Sequence, residues 1–131
     1  GVFAWKQWQG RCLIDGAIRE PVPARTLKEM GADYVIAVDL GHTGPCDRRA
    51  DDIIGSLSQS IEIMGEEVTQ YLVQSYADVV INPGIFSVPL SATNQIPRCI
   101  EHGRRAARES LASITSGIRR MEMKKNNSKA V

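Results

Sequence analysis

The sequence predicts an α/β fold, with a parallel or mixed sheet and helices flanking it. Three observations carry this expectation. First, Tyr34-Val35-Ile36-Ala37-Val38 and Val79-Val80-Ile81 are continuous apolar runs rich in β-branched residues. Strands that lack polar alternation are usually buried on both faces, as in parallel sheets. Second, the apolar residues between these runs recur in steps of three and four, which is the period of a helix. Third, each run follows the same pair, Ala32-Asp33 and Ala77-Asp78, so the two read as similar helix-to-strand junctions, not as a repeat. Strand, long helix, strand makes a βαβ crossover, which is right-handed in nearly all cases.

Composition narrows the function classes. A chain of 131 residues is long enough for one small domain with a modest core. A formal net charge of +1 gives no support for a nucleic-acid partner. The apolar runs are too short to cross a bilayer, so any membrane contact would be peripheral. Cys12, Cys46 and Cys99 are odd in number and widely spaced, which fits neither a disulfide framework nor a zinc site. They read as reduced, structural thiols. The chain opens at Gly1-Val2-Phe3-Ala4-Trp5, already in apolar material and without an initiator Met, and this reads as a fragment boundary.

The elements follow in order. Phe3 to Trp8 and Arg11 to Ile14 are strand-like runs joined by Gln9-Gly10, a hairpin signal. Asp15-Gly16 breaks the second strand. Pro21 and Pro23 lead into a short helix from about Ala24 to Met30, with Gly31 as its stop. The strand Tyr34–Val38 comes next, then a polar loop from Asp39 to Asp52. From Ile53 a long helix carries the stripe Ile54, Leu57, Ile61, Met64, Val68, Tyr71 and Leu72, with Gly65 marking a kink or break. After the second apolar strand, residues Asn82 to Pro97 form a Pro/Gly/Ser/Thr loop. A last helix runs from about Arg98 to Met121, with Ile100, Ala107, Leu111, Ile114, Ile118 and Met121 on one stripe. Residues 124–131 form a polar, basic tail expected to be disordered. Three or four strands are few for a two-sided sheet, and buried strands need neighbours for their edge N–H and C=O groups.

Asp15 is the first candidate for chemistry. It ends an apolar strand ahead of the small residues Gly16 and Ala17, where the backbone can turn and present a carboxylate at the sheet edge. Sites in open α/β folds gather outside the carboxyl ends of strands. The plain alternative is an Asp-Gly turn whose side chain caps its own loop. On the residues alone, both readings stand.

The surrounding segments add a resemblance. Gly1-Val2-Phe3, then Gly10-Arg11-Cys12-Leu13-Ile14-Asp15-Gly16-Ala17-Ile18-Arg19-Glu20-Pro21-Val22-Pro23, then Met30-Gly31-Ala32-Asp33-Tyr34-Val35-Ile36-Ala37-Val38-Asp39, resemble in order the C-terminal half of bacterial patatin-like phospholipases of the neuropathy-target-esterase-like branch. The match is close over roughly the first forty residues. It is looser at Ala77-Asp78-Val79-Val80-Ile81-Asn82-Pro83 and at Ile100 to Ala107. Glu20 stands where Asn is common in that family, and Ala17 where Gly is common.

The resemblance implies a partial three-layer α/β/α patatin-like fold over residues 1–123, and a lipid acyl hydrolase that works by a Ser–Asp dyad. Asp15, in the Asp15-Gly16-Ala17 motif, corresponds to the dyad aspartate. It would orient and deprotonate a serine attacking an ester carbonyl. The family's serine lies in a G-x-S-x-G nucleophile elbow, served by a glycine-rich oxyanion loop. This sequence has no G-x-S-x-G and no such loop before Asp15, so the chain alone is expected to be inert. The implied partners are a phospholipid or other acyl-ester substrate, and the N-terminal half of the same protein or a self-associated copy covering the sheet edge. The implied location is cytoplasmic or peripheral to a membrane. No cofactor is implied.

Other candidates are weaker. Ser56, Ser58 and Ser60 fall on an amphipathic helix and read as surface serines. Asp39-Leu40-Gly41-His42-Thr43-Gly44 is similar to the D-x-G-x-T phosphate loop of actin-type and sugar-kinase-type ATPases, but lacks the β-hairpin that loop normally heads. His42 reads as a loop residue and His102 as a helix-surface residue, with no triad partner for either. No His/Cys/Asp cluster has metal-ligand spacing. Trp5 and Trp8 could face lipid at a cleft mouth, although strand packing is the more ordinary role. The alternatives to a hydrolase are thus a non-catalytic α/β interaction domain or pseudo-enzyme and, behind it, a nucleotide-binding domain using Asp39–Gly44.

Overall fold

Two short ladders and two long helices organise the chain. The computed structural model describes residues 4–41, 53–85, 88 and 91–129. Strands β1 (Lys6–Trp8) and β2 (Arg11–Leu13) pair antiparallel, with Trp8 opposite Arg11. Gln9 and Gly10 both have positive φ, 49° and 73°. Two successive positive φ values define the type I′ turn, whose twist matches that of the flanking strands. The hairpin expected from Gln9-Gly10 is therefore present, though its strands are shorter than the apolar runs.

A single 3₁₀ turn (Gly16–Ile18) leads to α1 (Ala24–Glu29). Pro23, at the helix start, offers no side-chain cap. Glu20 takes that role: its carboxylate accepts the Arg25 N–H at 2.8 Å and the Thr26 hydroxyl at 2.7 Å. A carboxylate on the first amides of a helix also meets the positive end of its dipole. The helix closes on Gly31, φ 93°, with the Ala32 N–H donating to the Leu27 carbonyl and the Gly31 N–H to the Lys28 carbonyl. This is a Schellman closure, and its left-handed residue is the glycine that the sequence places there.

Strands β3 (Ile36–Val38) and β4 (Val79–Ile81) pair in parallel, with Ile36 opposite Val79 and Val38 opposite Ile81. Helix α2 (Ile53–Tyr76) joins the end of one to the start of the other, as the βαβ reading requires. Gly65 does not interrupt it: the helix is continuous, and the Thr69 hydroxyl donates back to the Gly65 carbonyl at 2.7 Å. A second 3₁₀ turn (Thr93–Gln95) precedes α3 (Ile96–Lys129). Pro97 lies in its first turn, where a missing N–H breaks no intrahelical bond. The helix thus starts before Arg98 and runs through Met121 to Lys129, so the part of the basic tail from Lys124 to Lys129 is helical and not disordered.

The architecture is mixed α/β, but its strands do not merge into one sheet. Among the described residues they form two separate two-stranded ladders, one antiparallel and one parallel. The expectation of strands buried on both faces is corrected too. Val35 and Ala37 are 2% and 4% exposed, whereas Ile36 and Val38 are 41% and 52% exposed. Side chains alternate across a strand, so one face of the parallel pair is covered and the other is not. The small core consists of Ala24, Val35, Ala37, Leu72, Val73, Ile81 and Ala106. Helix α1 packs against α2, and α3 against β4. No helix among the described residues is long and apolar enough to cross a membrane.

Candidate functional site

Asp15 follows β2 at the point where the strand gives way to the 3₁₀ turn. Its Oδ1 accepts the Ala17 N–H at 3.0 Å, and its backbone carbonyl accepts the Ile18 N–H at 3.2 Å. The side chain is exposed, and Oδ2 has no hydrogen-bond partner among the described residues. One carboxylate oxygen is therefore fixed by the turn and the other is open. The Asp-Gly turn expected as the plain alternative is present, and it leaves the second oxygen exposed.

The segments on either side of Asp15 carry uncovered apolar side chains. Trp5, Trp8, Leu13, Ile14 and Ile18 are all exposed large hydrophobic residues. Gly16 is absent from the residues with positive φ, and a methyl group added there would meet nothing within 4 Å. Its own backbone therefore has no need of glycine. Cys12, on β2, is a free, exposed thiol.

The other candidates have ordinary local partners. Ser56, Ser58 and Ser60 are exposed on α2, and the Ser60 hydroxyl donates to the Ser56 carbonyl at 2.9 Å. None sits at a strand-to-helix elbow. Asp39 accepts the Gly41 N–H at 2.9 Å, with Gly41 at φ 70°, so its carboxylate shapes its own turn. His42, Thr43, Gly44 and Cys46 lie outside the described residues. Asn82 repeats the device after β4, accepting the Gly84 N–H at 2.9 Å. His102 departs from the surface role expected of it: it is half-buried, with Nδ1 3.1 Å from the Pro83 carbonyl, and links α3 to the loop after β4. Among the described residues, no three His, Cys, Asp or Glu side chains are grouped to hold a metal ion.

The strongest electrostatic arrangement lies where the two apolar strands begin, and Asp78 is its centre. Oδ2 of Asp78 accepts Lys28 Nζ at 2.7 Å and the Val35 N–H at 2.8 Å, while the Asp78 N–H donates to the Val35 carbonyl at 2.8 Å. Burial pushes this carboxyl up, but the Lys28 ammonium and the Val35 amide hold it below the usual aspartate range. Asp33 pairs instead with α3, through Lys125 Nζ at 2.7 Å, and that bond and charge hold its carboxyl low. Burial raises Glu20 as well, yet the Thr26 hydroxyl, the Arg25 and Thr26 amides and the Arg25 guanidinium keep it below the glutamate range. The Ala-Asp echo in the sequence thus marks two carboxylates that bind lysines from two different helices. That role could not be read from the echo alone, because Lys28 and Asp78 are 50 residues apart.

Beside these carboxylates is a cavity of about 450 Å³, lined by Asp33, Tyr34, Asp78, Gly117, Arg120, Met121 and Lys124. It sits at the strand starts, away from the carboxyl ends where Asp39 and Asn82 turn. Asp15 does not line it. No protein-family model matches the sequence.

Proposed function

We propose that this chain is the C-terminal part of a patatin-like lipid acyl hydrolase, in which Asp15 is the dyad aspartate and the nucleophilic serine comes from polypeptide outside the chain. The observation that carries the reading is the state of Asp15. One oxygen is held by the Ala17 amide, the other is open, and the hairpin and turn on either side of it carry exposed apolar side chains.

In water a carboxylate is a weak base for a hydroxyl. Covered by a second apolar surface, the open oxygen would accept the serine proton as the hydroxyl attacks an acyl-ester carbonyl. It would then return that proton to the leaving alcohol. The Ala17 amide fixes the direction of the carboxylate during both transfers. Gly16, free of any backbone need of its own, leaves room for another backbone to approach. The substrate class is a phospholipid or related acyl ester met at a membrane surface, with Trp5 and Trp8 at the apolar margin.

The extent of uncovered apolar surface also favours a second reading, a non-catalytic interaction domain. The two separate on the residues that precede this chain in the intact protein. The hydrolase requires a G-x-S-x-G there between a strand and a helix, and covalent labelling of that serine by a fluorophosphonate. An intact protein without that serine, or unlabelled by the probe, is an interaction domain. The 131-residue chain alone is expected to release no product from an activated acyl ester, and clear turnover would contradict the proposal.

A further inference from the structure

We infer that the cavity at the strand starts is a binding site for a phosphoryl group. It lies apart from Asp15, which does not line it, and does not depend on the hydrolase reading. Two carboxylates line it, but each is already engaged by a lysine: Asp33 by Lys125 and Asp78 by Lys28, both at 2.7 Å. Arg120 and Lys124 also line it, and neither has an ion pair among the described residues. They are four residues apart on α3, so they stand one above the other on one helix face. With both lining carboxylates already paired to lysines that adjoin the recess, Arg120 and Lys124 are the lining charges left without a counter-ion among the described residues.

Tyr34 supplies the third polar group. Its ring lies over the buried Gly117: a methyl added to that glycine would overlap the Tyr34 hydroxyl and stand 2.7 Å from its Cζ. The hydroxyl has no hydrogen-bond partner among the described residues, and Tyr34 lines the same recess as the two cations. A guanidinium presents paired N–H donors that suit phosphoryl oxygens, an ammonium adds a point charge, and a phenol adds one further donor. A volume of about 450 Å³ exceeds what a phosphate fills and leaves room for the rest of a phosphate ester. A lipid headgroup and a soluble phosphate ester share that chemistry.

The test uses the full 131-residue chain. Inorganic phosphate and glycerol 3-phosphate are titrated while the Tyr34 and Gly117 amide resonances are followed. Binding should saturate and weaken as salt is raised. The R120Q/K124Q double variant should bind about tenfold more weakly or worse, with its circular dichroism unchanged. R119Q removes the same kind of charge from an exposed position outside the cavity and should bind as the parent does. The G117A variant, which keeps both cations and displaces Tyr34, should also lose affinity. Sedimentation with phosphatidic acid vesicles, set against phosphatidylcholine vesicles, separates the sources. Retention that is competed by glycerol 3-phosphate assigns a lipid headgroup, whereas binding of the soluble ester without retention assigns a soluble ligand. No saturable shift with either phosphate, or equal affinity in the R120Q/K124Q and parent proteins, overturns the site.

Discussion

The two halves of α2 differ in how much of the helix is covered. In the first half and just beyond it, Ile54, Leu57, Ile61, Met64 and Val68 are each more than half exposed. In the last two turns Thr69, Leu72 and Val73 are buried, while Tyr71 of the same apolar stripe is 70% exposed. One helix is thus partly buried towards its C-terminal end and carries an uncovered apolar stripe towards its N-terminal end. Periodicity records that a face is suited to burial, but not what buries it. Monomeric proteins rarely leave an apolar patch of this extent uncovered, and the hairpin that carries Asp15 has the same character.

The largest effect that sharpens this contrast is cavity formation. Leu72→Ala should cost the chain about 2–4 kcal/mol, the usual range for a buried leucine. Ile61→Ala, on the open half, should cost well under about 1 kcal/mol, since little of that side chain leaves water on folding. Urea denaturation of both variants makes the comparison. Equal losses would mean that α2 is covered along its whole length.

Gly117→Ala comes next, at about 1–3 kcal/mol, because the added methyl must displace Tyr34. Combined with Tyr34→Ala, the glycine substitution should cost much less than it does alone. A double-mutant cycle that sums to simple additivity would separate the two residues.

Asp78→Asn should follow, at about 1–3 kcal/mol, through loss of the ionic bond to Lys28 at the strand junction. The pH dependence has a definite sign. Glu20 and Asp78 both lie below their ordinary values when folded. The stability they contribute is therefore fully present above the unfolded carboxylate range, about pH 4–4.5, and is lost as the pH falls through the depressed native values. Parent protein should lose stability over that acid window, and E20Q or D78N should lose less. Asp33→Asn should have the smallest effect, because the Lys125 pair is exposed and screened by salt.

Much of this was legible in the residues. Gln9-Gly10 predicts a hairpin because Gly supplies the positive φ that a tight turn needs, and the positive φ of Gln9 came only with the structure. Gly31 predicts the end of α1 because the closure needs a left-handed residue. The order strand, long helix, strand gives the parallel β3–β4 pair. The span of the sheet was not legible, because apolar runs such as Tyr34–Val38 report a capacity for burial on both faces whether or not a neighbour is present. Glu20 was missed as a helix cap because it lies before two prolines, outside the usual capping position, and only the folded loop brings it onto Arg25 and Thr26. At Asp15 the sequence placed the carboxylate at the strand end, but not the Ala17 amide that fixes one oxygen and leaves the other open.

That open oxygen is the centre of the functional reading, and one substitution addresses it. Asp15→Asn keeps the size of the side chain and its bond from the Ala17 amide while removing its capacity to take a proton. In the intact protein, the rate of acyl-ester hydrolysis should fall by about 10²–10⁴-fold, the usual contribution of a general base, with the unfolding midpoint unchanged. A near-parental rate from the asparagine variant would exclude Asp15 from the chemistry and contradict the account.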